Sequence, residues 1–142
     1  MKTWLVLPLI LVSAAATAAT PKVEVADGDW SGLPQLQSMG YDHLHSNVMQ
    51  RLWELAKQRQ CKLPGYSMGK LDMRLSFAAQ YNPDGSLGRV ILPRLDCPEA
   101  EGLIGGAVLE MLQGGDYRRH GTSPEGWYQG ALTFGFEGGQ GS

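Results

Sequence analysis

The chain has 142 residues and a formal net charge of −2. That near-neutral, slightly acidic balance leaves no electrostatic footprint for nucleic acid and no basic run for anionic lipid. Once a leader is set aside, the length suits one domain, which buries about two thirds of its unfolded surface.

Met1-Lys2 is a short positive start, residues 4–12 are apolar, and residues 13–19 are small. Ala16-Thr17-Ala18 fits the small-x-small rule of a secretory signal peptidase, so residues 1–18 are expected to be a leader cut near Ala18. The apolar run falls short of the about 20 residues that a spanning helix needs. Loss of Lys2 with the leader takes the net charge from −2 to −3. The expected location is the periplasm. In an oxidising compartment, two cysteines form a disulfide more often than a metal site or a nucleophile, so Cys61 and Cys97 are expected to pair. The bond would close a loop of about 35 residues, worth on the order of 4 kcal/mol in the chain-entropy model.

Residues 19–40 mix Pro, Gly, Asp and Ser with scattered apolar residues and read as an extended arm. Val23 and Val25 alternate as a short edge strand would, while Trp30 and Leu33 are candidates for tacking the arm to the domain. Residues 41–60 predict a helix, because Leu44, Val48, Leu52 and Leu55 recur at spacings of three and four. Asp42 is the expected N-cap. His43 and His45, two apart, diverge on a helix and read as solvent-facing rather than as a metal pair. Gly65-Tyr66-Ser67-Met68-Gly69 matches the G-x-S-x-G nucleophile elbow, with Asp96 or Asp116 and then His120 following in the usual order. That chemistry needs a strand before Ser67, a helix after it and a large parallel sheet. A turn leading into the next strand is the expected reading, with no catalytic centre and no cofactor or metal.

Residues 71–81 carry the clearest signal. Leu71, Met73, Leu75, Phe77, Ala79 and Tyr81 alternate with Asp72, Arg74, Ser76, Ala78 and Gln80, the period of a strand with one face in a core. Asn82-Pro83-Asp84-Gly85 then predicts a turn, and residues 86–95 a second strand, giving a hairpin. Pro93 lacks the N–H of a central ladder, so this second strand is expected to be at an edge or ending, and 71–81 to be central. Asp96, Pro98 and Glu99 read as a capping box opening a helix, whose stripe is Ala100, Leu103, Ile104, Ala107, Met111 and Leu112. Gly105-Gly106 in its middle predicts close approach to the sheet. Arg118, Arg119 and His120 form a small basic spot in a polar loop. Residues 127–137 predict a third strand, with Tyr128, Leu132, Phe134 and Phe136 on one face, and residues 138–142 a tail.

The expectation is therefore an α+β domain over residues 41–137, a three-stranded antiparallel sheet carrying two helices in the order α-β-β-α-β. This order, with Asn82-Pro83-Asp84-Gly85, the helix after Asp96 and the closing Phe134-Gly135-Phe136, resembles the C-terminal domain of the TonB and TolA family. Cys97 at the start of the second helix, paired with a cysteine before the first strand, is similar to the TolA branch in particular. The resemblance implies a periplasmic module that holds an outer-membrane or periplasmic protein, commonly by adding a strand to a sheet edge. With 71–81 central, the free edge is 127–137, where Trp127, Gln129, Ala131 and Thr133 present the outward face without charge or Pro. Cover by the arm around Val23 and Val25, or pairing of two copies, is the competing use of that edge. A hydrolase using Ser67 and an inhibitor or immunity-type protein are the competing functions.

Overall fold

In a computed structural model of the chain, residues 20–40 and 44–137 are described. The leader and the tail lie outside them. The alternation beginning at Leu71 becomes strand β4, Lys70–Tyr81. Its odd residues from Leu71 to Ala79 are buried, whereas Asp72, Arg74 and Ser76 are exposed. The closing strand β7, Trp127–Glu137, pairs antiparallel with β4 along its whole length, from Lys70↔Glu137 to Gln80↔Trp127. That register sets Phe136, Phe134, Leu132 and Tyr128 on the face of Leu71, Met73, Leu75 and Ala79. Phe77 lies opposite Gly130, and its ring fills the space of the missing side chain: a Cβ at Gly130 would stand 2.4 Å from it.

The hairpin partner is β5, Leu87–Leu92, which stops one residue before Pro93. It pairs with β4 from Ala78 to Tyr81, with a bulge at Gln80 and Tyr81. β5 is nevertheless not an edge. Strand β1, Lys22–Val25, runs parallel to its far side in the register Val23↔Val90. Val23 and Val25 thus form a strand instead of a loose arm. A two-residue β3, Tyr66–Ser67, turns back onto Lys70 and Leu71. The sheet has five strands where three were expected. A second small sheet joins β2, Leu36–Ser38, to β6, Tyr117–Arg119. A 3₁₀ turn over Pro124–Gly126 leads into β7.

Helix α1, Ser46–Lys57, packs against β7, and helix α2, Pro98–Gln113, against β5 and β1, both sharing one core with the odd-numbered residues of β4. α1 begins later than its periodicity predicts: its N-cap residue is His45, while Asp42 and His43 lie outside the described residues. Leu52, Leu55 and Ala56 are its buried positions. α2 is capped by Cys97 with Pro98 in the first turn, so the expected cap moves by one residue. Asp96 adopts a φ of 55° instead, and the Glu101 carboxylate accepts the Leu95 N–H at 2.9 Å. Glu99, expected to close the box, pairs with Arg51 of α1 at 2.8 Å. The close approach predicted for the glycine pair occurs at Gly105, where a Cβ would stand 2.9 Å from Val23 and 3.2 Å from Leu92. Cys61 and Cys97 are joined, with Cα atoms 5.6 Å apart.

Candidate functional site

The outer edge of β7 is built by the long β4–β7 ladder. Because that ladder is unbroken, Trp127, Gln129, Ala131, Thr133, Gly135 and Glu137 direct their backbone groups away from β4. The arm reaches this edge from the far side of the sheet. It leaves β1 through Ala26, whose N–H donates to Leu92 O at 2.9 Å, and arrives at β7 where Gln129 N–H donates to Pro34 O at 2.9 Å. Between these points residues 27–33 cross the face opposite the helices. The Gln129 side chain holds them there, donating to Ser31 O at 3.1 Å and Leu33 O at 2.6 Å. Ala78, on the same face, is fully buried.

Of the four residues expected to offer a free edge, the fold takes up three. Gln129 is bonded to the arm. Ala131 O accepts the Tyr117 hydroxyl at 3.1 Å, and Trp127 O accepts the Ser123 hydroxyl. The Trp127 ring also lies under Arg89, 5.3 Å from its centroid. The competing reading, cover by the arm, holds for part of the edge, but the cover comes from residues 31–35 and not from Val23 and Val25. Thr133 remains exposed. Among the described residues no strand pairs with the outer side of 133–137.

Beside this end is a groove of about 530 Å³, lined by Leu44 just before α1 and Met49 of α1, with Met73, Phe134, Thr133 and Gly135 of the sheet. Leu44, Met73 and Phe134 make its wall apolar. On the other face the Asp72 carboxylate leans over Gly135, since a Cβ there would stand 2.7 Å from it. Lys70 bridges Asp72 at 3.6 Å and Glu137 at 3.5 Å, and these two carboxylates hold its ammonium above the ordinary lysine range. Local alternation identifies β7 as a strand, but the groove needs the α1 N-terminus, which only the packing brings there.

The G-x-S-x-G segment is a hairpin tip. Ser67 pairs with Lys70 in the β3–β4 ladder, and Met68 and Gly69, with φ of 52° and 77°, form the two-residue turn. The strand-to-helix elbow of a hydrolase does not surround Ser67, which is followed by strand β4. His45 is exposed and lies 3.6 Å from Glu110. No group of three metal-binding side chains occurs among the described residues. Comparison with protein-family models, curated proteins and solved structures finds no match to this chain.

Proposed function

We propose that this chain is a periplasmic protein–protein interaction module of the TonB/TolA C-terminal type, which takes an extended segment of a periplasmic or outer-membrane partner onto β7. The supporting observation is the division of the β7 edge: capped by the arm, Ser123 and Tyr117 as far as Ala131, and without a pairing strand among the described residues from Thr133 to Glu137. An added strand would find outward backbone groups at Thr133, Gly135 and Glu137. Its alternate side chains would enter the groove between Met73, Phe134 and Leu44, where apolar residues suit the lining. On the opposite face its side chains would meet the row of Lys70, Asp72 and Arg74, which favours a partner strand of mixed charge.

Thr133→Pro tests this reading. It removes one outward N–H without touching the bonds to β4, so circular dichroism should be unchanged while capture of the envelope partner falls at least about tenfold. Unchanged capture by the folded variant overturns strand addition at this edge. Light scattering of the purified protein reads whether a second copy takes the edge instead.

A further inference from the structure

The end of the molecule formed by the α1 C-terminus and the β3–β4 hairpin has a chemistry that neither the core nor the β7 edge uses. Residues 55–70 carry Lys57, Arg59, Lys62 and Lys70 and no Asp or Glu. This stretch is +4 in a chain of −2, so the remainder is −6. The fold gathers the cations around the hairpin. Trp53 of α1 donates its indole N–H to Gly69 O at 2.8 Å, and the Lys57 ammonium stands 4.7 Å over the same ring. Arg59, Lys62 and Tyr66 line one depression beside them. Lys70 is neutralised by Asp72 and Glu137. Among the described residues, Lys57, Arg59 and Lys62 have no carboxylate partner.

Met68 tops this end, fully exposed at 101%. Its φ of 52° belongs to a turn that favours Asn or Gly, and it gains no burial from the fold. Arg59, with a φ of 57°, likewise occupies the position after α1 where Gly is preferred. Both residues are costly to the fold, and both face solvent at the same end.

We propose that this end seats on an anionic lipid surface, with Met68 entering the acyl boundary and Lys57, Arg59 and Lys62 holding lipid phosphates. An exposed methionine at an end that carries three cations without a carboxylate partner among the described residues suits a fluid interface, which needs no matching pocket. An acidic protein would satisfy the cations and leave Met68 without a place. The net −6 of the rest of the chain is repelled by the same surface, which orients the molecule tip-first. The proposal is independent of strand addition at β7.

The test is co-sedimentation of the purified exported protein with phosphatidylcholine vesicles, with and without phosphatidylglycerol. Binding should require phosphatidylglycerol and weaken as salt rises. Replacing Lys57, Arg59 and Lys62 together by Gln should lower affinity roughly 100-fold. Met68→Asn, which suits the left-handed turn and keeps the hairpin, should lower it about tenfold. Absence of wild-type binding, equal binding to phosphatidylcholine alone, or wild-type binding by either variant overturns the proposal.

Discussion

Gly105 and Gly106 are neighbours in α2 with opposite surroundings. Gly105 faces Val23 and Leu92 at distances too short for a methyl group, whereas nothing lies within 4 Å of a Cβ at Gly106. Gly105→Ala should therefore destabilise by about 1–3 kcal/mol through overpacking. Gly106→Ala should stabilise by up to about 1 kcal/mol, since alanine loses less backbone entropy in a helix. Urea unfolding midpoints of the two variants should move in opposite directions. Met68 supplies a second contrast at this scale. Met68→Asn relieves a left-handed methionine and should raise stability by about 1 kcal/mol. A gain in thermal midpoint together with weaker vesicle binding is the expected signature of a residue kept for a surface and not for the fold.

Strand β1 depends on partners distant in the chain. Its Glu24 accepts two hydrogen bonds from Arg89 of β5, one of them at 2.6 Å, and the Arg89 guanidinium lies over Trp127 of β7. The Arg89 hydrogen bond, ahead of simple charge attraction, holds the Glu24 carboxyl below its ordinary value of 4.5. The folded form thus favours the ionised carboxylate. Its contribution is present above the unfolded-state pKa and is lost as pH falls through the lowered folded-state value. Glu24→Gln should accordingly lower the thermal midpoint near neutral pH, and the gap to wild type should close below about pH 4. A gap that does not vary with pH would assign the effect to packing of the side chain.

At the scale of the whole molecule, the disulfide links the loop after α1 to the start of α2, next to the Arg51–Glu99 ion pair between the same helices. Both cysteines are buried. The bond closes a 36-residue separation that contains β3, β4 and β5, so it restrains the unfolded chain around the centre of the sheet. Reduction, or Cys61→Ser with Cys97→Ser, should cost about 2–5 kcal/mol. Denaturant unfolding with and without reductant measures this. A far smaller loss would mean that the wider sheet, with β1 and the arm added to it, holds the domain without the clamp.

The elements whose information is local were legible in the sequence. β4 is recorded in Leu71, Met73, Leu75, Phe77 and Ala79, the hairpin in Asn82-Pro83-Asp84-Gly85, and α2 in Pro98 and its stripe, because a strand or helix period needs only neighbouring residues. The cysteine pair was also legible, since two thiols in a chain expected to meet an oxidising compartment have one intramolecular pairing. Other features belong to the tertiary structure alone. Val23 and Val25 show too little alternation to reveal a parallel partner 67 residues away, as in Val23↔Val90. The arm's path to Gln129 and the β2–β6 pair rest on contacts between segments that are each two or three residues long. Lys57, Arg59 and Lys62 fall within six residues of one another in the sequence, but only the fold sets that stretch beside the Met68 turn, through the Trp53 N–H to Gly69 O. Long-range pairings of this kind are selected by the surfaces left unburied once the hairpin and the helices have packed. In this molecule that selection covers one end of β7 and, among the described residues, leaves the outer side of 133–137 without a pairing strand.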